Sequence, residues 1–461
     1  MTKYDIVIIG AGPAGLFSAL KLSNNPKLKI LLIDKGKKIK SRKCSQNSKT
    51  GCVKCQPCNL ICGWGGSGAF SDGKLNFTHK IGGWLGEYLT PKDYDNLIKD
   101  SENLWLKFGA PKKVYGQNKK EVQKIIKKAK KADLEIITFP IRHMGSDGGR
   151  EILENMYKYL KDKIKIKLNT QVKDIIVRNK KISGVVLDNG KKVYAQNVVI
   201  APGRAGSDWL LTLAAKYKLE PQCNPVDLGV RVEIPSKIYT SIAKYLYELK
   251  VHYKTKTFRD NARTFCVCPR GEVTMEQLTG QFPVTTVNGQ SLARIKTKNT
   301  NFAILVSTKF TFPFKDPIFY AKSIAKLANL LSGGVMVQRL KDLVLGQRST
   351  KERIKRNLLK PSFRSANPGD LAFVLPYRYL KDILETLQAL DRIIPGIWCN
   401  DTLLYGVEIK LYSSRIKVKN SLETKVKNLY VAGDGAGLTR GLVHASVSGL
   451  VVARSILKKI K

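Results

Sequence analysis

The residues with the clearest chemical spacing are four cysteines in the N-terminal part of the chain. Gaps of two, two and three residues separate them, at Cys52, Cys55, Cys58 and Cys62. This spacing is typical of loops that hold an iron–sulfur cluster, because one short loop can wrap a compact cubane core. Structural zinc more often takes two separated Cys-x-x-Cys pairs. The spacing therefore favours a four-iron four-sulfur cluster, with zinc and free or redox-active thiols as the alternatives.

A different set of four ligands is also available, because Cys44 stands a little upstream and can replace Cys62. Gly63 follows the last cysteine, where ferredoxin loops place a proline, and the chain has no second cysteine run for a second cluster. A disulfide framework is not expected, since intracellular thiols are normally reduced. The choice of ligands and of metal stays open at this point.

A glycine-rich turn close to the N-terminus predicts a dinucleotide-binding site. The strand pattern of residues 4–9 leads into the turn, and an apolar helix pattern follows over 16–22. In such a turn the first glycine permits the tight bend, the second lets the backbone approach a pyrophosphate, and the third lets the helix pack on the strand. The predicted cofactor-binding residues of this turn are Gly10, Gly12, Pro13, Ala14 and Gly15.

A second predicted strand ends at Asp34, which lies 19 residues after Gly15. At about this distance a carboxylate accepts hydrogen bonds from the hydroxyl groups of the adenosine ribose. Lys35 follows directly and is included in the predicted site. The strand, the helix and the acidic residue together make a nucleotide site a stronger prediction than the glycines alone.

Another glycine-rich turn near the C-terminus favours FAD over NAD. The apolar strand 428–432 leads into this turn, and a helix pattern begins near residue 441. A flavin needs a carboxylate for its ribityl hydroxyls, bare backbone near its ring, and a helix N-terminus that stabilises negative charge on the reduced ring. A plain glycine loop before a core helix is the alternative. The predicted residues are Gly433, Asp434, Gly441, Leu442 and Val443.

A third segment is expected to link the two turns. Residues 192–200 have a strand pattern that ends in Ala201, Pro202 and Gly203. FAD-binding folds return the chain beneath the cofactor at such a point. We therefore expect Ala201 and Gly203 to lie under the cofactor, and Val172, at the start of the preceding run, to supply backbone to the adenine edge.

Several further segments carry a resemblance to a protein family. They are residues 63–75 (GWGGSGAFSDGKL), 142–147 (RHMGSD), 226–233 (VDLGVRVE), 266–269 (CVCP), 287–289 (VNG) and 404–408 (LYGVE). With these segments the chain resembles, from end to end, FAD-dependent oxidoreductases of the glutathione-reductase-like fold, in particular the bacterial and archaeal family with an FAD-dependent C-terminal domain.

The resemblance implies that the loop 63–75, including Gly66 and Ser67, lies against FAD near its flavin end. Arg204, Gly206 and His444 depart from the pattern of this family. These departures concern the chemistry beside the flavin and not the identity of the cofactor.

Four side chains are candidate catalytic groups. Arg142 and His143 precede a Gly-Ser-Asp-Gly-Gly turn, where they can contact a phosphate or carboxylate, although capping of the next helix explains that turn equally well. Glu408 is predicted to be a buried carboxylate, either near the flavin or satisfied within a core. His444, one turn into the last helix, faces either the flavin or a neighbouring strand.

Composition limits the classes of partner. The 81 lysines and arginines against 36 acidic residues give a formal charge of +45, spread along the whole chain without interleaved aromatic residues. A nucleic-acid partner is therefore not expected, whereas an acidic electron carrier such as a ferredoxin is a predicted partner. No apolar run approaches the about 18 residues that cross a bilayer, so we expect no membrane partner and a cytoplasmic location.

The length of 461 residues exceeds the roughly 250 to 300 at which a single core stops growing, so two domains are expected. We predict an α/β protein with a discontinuous, Rossmann-like FAD-binding domain of glutathione-reductase type and an inserted mixed α+β domain. The FAD-binding domain spans 1–220 and 398–461, and the substrate or cap domain spans 221–397. The helical insertion near 92–132 and the Cys-rich loop 44–62 are assigned to the FAD-binding domain.

The predicted function is that of an FAD-dependent oxidoreductase acting on a small-molecule substrate. Only one Gly-x-Gly-x-x-Gly occurs, so a dedicated NAD(P) domain is not expected. Electrons then come from NAD(P)H bound transiently or from a carrier protein. The alternatives are a flavin and iron–sulfur electron-transfer module and, less favoured, a flavoprotein that modifies tRNA.

Overall fold

The structure is a computed structural model of the chain. It describes residues 3–44, 55–71, 73–116, 118–246, 248–278, 283–291, 296–311, 313–314 and 316–460.

The strands, in chain order, are β1 (Lys3–Ile9), β2 (Ile30–Ile33), β3 (Lys74–Asn76), β4 (Leu134–Ile137), β5 (Ile141–His143), β6 (Lys165–Lys167), β7 (Val172–Arg178), β8 (Lys181–Leu187), β9 (Lys192–Ile200), β10 (Pro221–Gln222), β11 (Val226–Pro235), β12 (Lys250–Lys254), β13 (Asn261–Cys268), β14 (Glu272–Leu278), β15 (Val284–Gln290), β16 (Asn299–Thr308), β17 (Met336–Arg339), β18 (Asn367–Pro368), β19 (Leu403–Lys410), β20 (Arg415–Ile416) and β21 (Leu429–Val431). The helices are α1 (Pro13–Leu22), α2 (Pro91–Lys107), α3 (Lys119–Lys130), α4 (Gly145–Leu160), α5 (Ser207–Lys216), α6 (Ser236–Ala243), α7 (Pro317–Ser332), α8 (Leu340–Val344), α9 (Lys351–Arg356), α10 (Tyr377–Asp391) and α11 (Leu442–Ile460).

The chain divides into two compact units. Unit 1 contains residues 1–113, 141–224 and 413–461, and unit 2 contains residues 114–140 and 225–412. Unit 1 is therefore assembled from three separate stretches of sequence.

These boundaries differ from the predicted ones in two places. The expected helical insertion near 92–132 is divided, because α2 packs against α11 in unit 1, whereas α3 and β4 join unit 2 through the pairing of β4 with β12. The expected return to the first domain at 398 is too early, because β19 pairs with β11 and β17. Both differences come from strand pairing between distant segments, which a local sequence pattern does not reveal.

Unit 1 is built on a seven-stranded sheet in the order β6–β2–β1–β9–β8–β7, with β21 paired to β9. Strands β1, β2, β6, β9 and β21 are parallel, whereas β7 and β8 are antiparallel to their neighbours. Strands β2 and β21 are buried along their whole length, as expected for parallel strands covered on both faces. Helices α1 and α11 pack closely against each other in the same core.

Unit 2 is built on an eight-stranded sheet in the order β18–β17–β19–β11–β16–β13–β12–β4. Its central strand β11 alternates between apolar and polar side chains, and nearly all of them are buried. The apolar set belongs to one core with residues of α7 and α10. The other set, Asp227, Arg231 and Glu233, makes ion pairs and hydrogen bonds within unit 2. The hairpin β14–β15 packs against β19.

The predicted α/β fold class is confirmed by these mixed sheets and their covering helices, while the glutathione-reductase type of the first domain stays a prediction. Within the described part of the chain, no helix has the length and apolar character needed to cross a membrane.

The close approach of α11 to α1 depends on Gly449. A Cβ atom at this position would lie 2.1 Å from the carbonyl oxygen of Ala14, and Ser18 donates a hydrogen bond of 2.9 Å to the carbonyl of Gly449. We expect Gly449→Ala to lower the free energy of unfolding of unit 1 by about 1–3 kcal/mol, because the two backbones must separate. The measurement is urea unfolding followed by circular dichroism.

The matched control is Gly149→Ala in α4, where an added Cβ meets no described heavy atom within 4 Å. This substitution should be neutral or stabilise the helix by up to about 1 kcal/mol, since alanine is the better helix former. Equal destabilisation by the two substitutions would contradict the packing argument.

In unit 2 the carboxyl group of Asp382 on α10 is fully buried. Burial raises its pKa to about 6, opposed by the hydroxyl of Thr255 and reinforced by the carboxylate of Asp260. Because the folded-state pKa exceeds that of the unfolded chain, the folded state loses stability as pH rises through about 6. We expect Asp382→Asn to remove this loss, so that the melting temperature of the variant falls less between pH 5 and pH 8 than that of the wild-type protein. Parallel pH profiles would contradict this.

Candidate cofactor-binding site

Four parallel strands of unit 1 end at the same edge of its sheet. β1 leads into Gly10, β2 into Asp34, β9 into Ala201, and β21 into Gly433. Backbone hydrogen bonds join these ends, from Gly10 N to the carbonyl of Ile33 (2.8 Å), from Ala201 N to that of Ile9 (2.8 Å) and from Ala432 N to that of Ile200 (3.0 Å). The sheet thus brings the N-terminal and C-terminal glycine turns to one edge, which is where ligands bind in open α/β sheets.

The first turn depends on glycine for steric reasons. Gly10 has a φ of +100°, and a Cβ there would lie 2.0 Å from the carbonyl oxygen of Ala201. A Cβ at Gly15 would lie 1.9 Å from the carbonyl oxygen of Gly10. Helix α1 begins at Pro13 with Gly12 as its N-cap residue, and no side chain caps it. The first N–H groups of α1 therefore remain available to an anion such as a pyrophosphate.

Asp34 holds this turn together. Its carboxylate accepts one hydrogen bond from the backbone N–H of Ala11 and another from that of Gly36, both 2.8 Å long. A carboxylate has about four lone-pair sites, so it can still accept from ribose hydroxyls. The ammonium group of neighbouring Lys35 instead contacts the carbonyl of Ala205 at 3.4 Å.

The glycine-rich loop that carried the family resemblance lies against the first turn. The N–H of Gly65 donates to the carbonyl of Ala11 at 2.7 Å, and a short 3-10 turn, Gly66–Phe70, follows. A Cβ at Gly66 would lie 3.0 Å from the Cα of Gly12, and a Cβ at Gly68 would lie 2.6 Å from the side chain of Leu442. Ser67 stands between these two contacts. The loop therefore touches both predicted halves of the site.

At the C-terminal turn, Asp434 accepts hydrogen bonds from the hydroxyl of Thr439 (2.7 Å) and from the N–H of Gly441 (3.2 Å). Burial raises the pKa of Asp434, while the nearby charges of Arg204 and Arg440 act in the opposite direction. Gly441 has a φ of +89°, and a Cβ there would meet no described heavy atom within 4 Å. The backbone is thus bare immediately before α11.

Two residues beside this turn were not identified from the sequence. Arg440 lies with its guanidinium carbon 4.5 Å from the centre of the Trp84 ring. The segments that carry them are paired, because Arg440 N donates to the carbonyl of Gly82 (2.8 Å) and Trp84 N donates to that of Leu438 (2.9 Å). The pairing joins segments more than 350 residues apart, so spacing in the sequence contained no signal for it.

Arg42 is a third residue that the sequence did not single out. It is 1% exposed, and its guanidinium group donates to the carbonyls of Asn59, Leu60, Trp64 and Gly66 at 2.6–2.9 Å. Burial lowers the pKa of Arg42 to about 10. Because one side chain binds carbonyls from both segments, it fixes the end of the cysteine loop relative to the glycine loop. The only local signal was an arginine within a lysine-rich stretch.

The predicted cysteine cluster is described only in part. Cys52 lies outside the described residues, Cys44 is exposed, Cys55 and Cys58 are half-buried, and Cys62 is buried. Burial raises the pKa of the Cys62 thiol. Among the described residues, no three Cys, His, Asp or Glu side chains form a group that could hold a metal ion. The described cysteines therefore give no support of their own to the iron–sulfur or the zinc prediction.

Two of the candidate catalytic residues lie on β5, which pairs with β3. Arg142 donates to the carboxylate of Glu102 at 2.8 Å and to the carbonyl of Pro111 at 3.0 Å, so its guanidinium is engaged within unit 1. His143 stands opposite Lys74 in the pairing. Ser146 and Asp147, proposed after them as capping residues, lie in the first turn of α4, and their side chains are outside the described part of the structure.

The other two candidates lie in different units. Glu408 is fully buried in unit 2, where Arg231 binds its carboxylate through two hydrogen bonds of 2.7 and 3.1 Å. Burial alone would raise the pKa of Glu408, but Arg231 and Lys410 outweigh it and lower the pKa. His444 lies in unit 1, with Nε2 2.9 Å from the carbonyl of Thr78 and its ring directly over Gly82.

The arrangement in unit 1 fits the predicted FAD. The turn before α1 leaves helix N–H groups for phosphates, and Asp34 and Asp434 supply carboxylates at two strand ends. A Cβ added at Gly203 or at Gly441 would meet no described heavy atom within 4 Å. The backbone is therefore open at both positions. Val172 begins β7 opposite Leu187, which neither supports nor opposes its predicted role at the adenine edge. The individual roles remain predictions.

We expect Asp34→Ala to weaken FAD binding by about ten-fold or more, because the N–H groups of Ala11 and Gly36 lose their acceptor and the ribose loses its partner. The measurement is titration of apoprotein with FAD, together with the FAD content of the purified protein. The matched control is Asp5→Ala, since Asp5 also accepts a backbone N–H, that of Lys29 at 2.8 Å, but stands at the other end of β1. Equal FAD affinity of the two variants would contradict the assigned role.

Three family models match parts of the chain. Residues 5–52 match the FAD binding domain, residues 149–224 match glucose inhibited division protein A, and residues 225–411 match the FAD-dependent protein, C-terminal domain-like family. The last match covers most of unit 2.

Over its whole length the chain is similar to an uncharacterized protein of Clostridium beijerinckii, with 25% identity over 98% of this chain and 80% of the relative. Similar solved structures include a variant of quinol fumarate reductase from E. coli (13% identity, 100% and 71% of the two chains, TM-score 0.42) and L-proline dehydrogenase from P. horikoshii (14% identity, 99% and 94%, TM-score 0.41). These structural likenesses are too distant to indicate a substrate. The family matches support an FAD-dependent oxidoreductase, and residues 225–411 match the FAD-dependent protein, C-terminal domain-like family.

Proposed function

We propose that this oxidoreductase transfers hydride or electrons between FAD bound at the sheet edge of unit 1 and a small-molecule substrate. The observation that carries the proposal is the meeting of two glycine turns from opposite ends of the chain at the carboxyl ends of β1 and β21. Each turn would hold one half of the dinucleotide, so neither is sufficient alone.

The bound FAD would supply the hydride chemistry, and the chain would supply its binding and orientation. The N–H groups at the start of α1 would face the pyrophosphate, Asp34 would accept from the adenosine ribose, and Asp434 would accept from the ribityl hydroxyls. Gly441 supports close approach of the ring, because it has no side chain and leads directly into α11.

The charges around the C-terminal turn support storage of negative charge at that end of the site. Arg204 and Arg440 both act on Asp434, and the N-terminus of α11 begins one residue after Gly441. A positive potential of this kind stabilises a reduced, anionic flavin. Arg204, which departs from the pattern of the family, would thus add to this positive potential.

The source of electrons is proposed as either NAD(P)H bound transiently or an acidic carrier protein such as a ferredoxin. The charge of +45 supports attraction of an acidic carrier. The cysteine loop ends at Cys62, directly before the glycine loop, and a cluster held there would stand in the path of such electrons. Iron–sulfur binding is proposed on the cysteine spacing alone.

The test is a set of absorbance spectra of the anaerobically purified protein, first as isolated and then after NADH, NADPH or reduced ferredoxin, together with iron and sulfide analysis. We expect a flavin spectrum that one of these donors bleaches within the time of a catalytic turnover. A folded protein that is colourless and does not take up added FAD would overturn the proposal.

The same preparation separates the two alternatives. Reduction by ferredoxin alone, with stoichiometric iron and sulfide, would favour an electron-transfer module over a small-molecule oxidoreductase. RNA that co-purifies with the protein and is removed by nuclease treatment would favour a function in tRNA modification. Absence of iron and sulfide would end the iron–sulfur proposal and leave the flavin proposal intact.

A further inference from the structure

The segment between Asp34 and Asp72 in unit 1 carries charge of one sign only. It contains eight lysines and arginines and no aspartate or glutamate. In the whole chain 81 basic residues stand against 36 acidic ones, so a segment of this basic content would ordinarily hold several carboxylates as well. The positive charge of the segment is therefore not neutralised by acidic residues of its own.

Helix α4 packs beside this segment and aligns part of its charge. The Nζ atom of Lys38 lies 5.2 Å from the centre of the Tyr157 ring, and the Nζ atom of Lys40 lies 3.6 Å from the carboxylate of Glu154. Arg150 stands four residues before Glu154 on the same helix. Because residues three and four apart share one face of a helix, the cations follow a single face of α4.

An aromatic ring connects this face with the glycine loop. The guanidinium carbons of Arg42 and Arg150 lie 4.9 and 4.7 Å from the centre of the Phe70 ring. Phe70 ends the short 3-10 turn of the glycine loop, and that loop contacts both halves of the predicted FAD site. The aligned cations therefore stand next to the loop that lies against the predicted cofactor.

Five of these cations are exposed to solvent. Within the described part of the chain they make one ion pair, that of Lys40 with Glu154, and the Lys40 side chain in this pair is 78% exposed. An exposed pair of this length contributes little. Lys35 and Arg42 of the same segment turn inward to backbone carbonyls and add positive charge from beneath. We call the five exposed cations the basic surface of unit 1: Lys37, Lys38, Lys40, Lys43 and Arg150.

The chemistry of this surface favours an acidic protein as its partner. Encounters between redox proteins use small interfaces, and complementary charge steers the two proteins together. Proteins that bind single-stranded nucleic acid instead stack the bases on aromatic side chains. Here both nearby rings, Phe70 and Tyr157, are half-buried and are covered by cations. The position beside the glycine loop also suits a protein that delivers electrons to a flavin.

We propose that an acidic electron-carrier protein docks on the basic surface of unit 1, with its carboxylates facing the five exposed cations. The proposal rests on the function proposed above and assigns to it the place where the carrier binds. Arg42 supports this surface from within, because it donates hydrogen bonds both to the end of the cysteine loop at Leu60 and to the glycine loop at Gly66.

The experiment measures binding of an oxidised, acidic plant-type ferredoxin to the purified holoprotein by isothermal titration calorimetry, at low and at high sodium chloride. We expect saturable binding that weakens as salt rises, because salt screens exposed charges. The double variant Lys37→Glu, Lys38→Glu should weaken binding about ten-fold or more, since two attractive charges become repulsive. Lys37→Arg, Lys38→Arg should keep the affinity within about two-fold, because the charge remains.

The matched control is the double variant Lys191→Glu, Lys192→Glu, which changes the charge of unit 1 by the same amount. Both lysines are exposed and stand at the amino end of β9, whereas Ala201 of the predicted site follows its carboxyl end. This variant should bind ferredoxin within about two-fold of wild type. FAD content and the melting temperature of each variant establish that it is folded. Equal loss of affinity in the two double glutamate variants would show an effect of net charge alone and would overturn the surface assignment.

A second titration uses tRNA in place of ferredoxin. Binding of tRNA that depends on Lys37 and Lys38, without any binding of ferredoxin, would assign the surface to nucleic acid and overturn the carrier proposal. Weak tRNA binding that the Lys37→Glu, Lys38→Glu variant leaves unchanged would support it.

The outcome also separates this inference from the function on which it rests, since binding of oxidised ferredoxin needs no flavin reduction. A protein whose FAD is bleached by NADH or NADPH but which binds no ferredoxin would overturn the docking surface and leave the oxidoreductase function intact. Ferredoxin binding at this surface by a folded protein that takes up no FAD would support the surface and contradict that function.

Discussion

The structure of unit 1 depends on the parallel alignment of β21 with β9. The register pairs Leu429 with Val198 and Val431 with Ile200, so the C-terminal strand ends level with β9 and β1. Parallel strands have their carboxyl ends on one edge, and the predicted cofactor-binding residues Gly10, Asp34, Ala201 and Gly433 each follow such an end. Two strand pairings, that of β1 with β9 and that of β9 with β21, therefore bring the two glycine turns together.

Two buried arginines stabilise the surroundings of the proposed chemistry in different ways. The guanidinium group of Arg42 donates hydrogen bonds to four backbone carbonyls, and burial lowers its pKa. Burial also opposes the charge of Arg231, yet Glu408 outweighs it and raises the pKa. Arg42 thereby links two loops, whereas Arg231 links strands β11 and β19. Removing either side chain would leave several buried polar groups unpaired.

The two units contain different kinds of sheet, and each sheet suits a different role. Unit 1 has parallel strands with bare glycine turns at one edge, which suits a dinucleotide. Unit 2 has a mainly antiparallel sheet. Its central strands carry Asp227, Arg231 and Glu408 on the face opposite an apolar core. Phe265 and three cations around its ring lie on strands of the same sheet. Burying this many charged groups costs free energy unless they are paired. Here most of them are held in ion pairs and hydrogen bonds with one another.

The sequence by itself determined the features that depend on residues close together in the chain. Gly10, Gly12 and Gly15 with Asp34 predicted the nucleotide turn, and Gly433, Asp434 and Gly441 predicted its counterpart, because turn geometry and strand endings are local properties. The α/β class followed from the same patterns. Tertiary structure alone decided that α3 and β4 join unit 2 and that Arg42 binds the cysteine loop. It also decided that Glu408 is an ion-pair partner of Arg231. On the same sheet it brought Lys250, Arg263 and Lys410 to Phe265. These contacts join residues far apart in the chain, and their energies arise only when strand register places the side chains together.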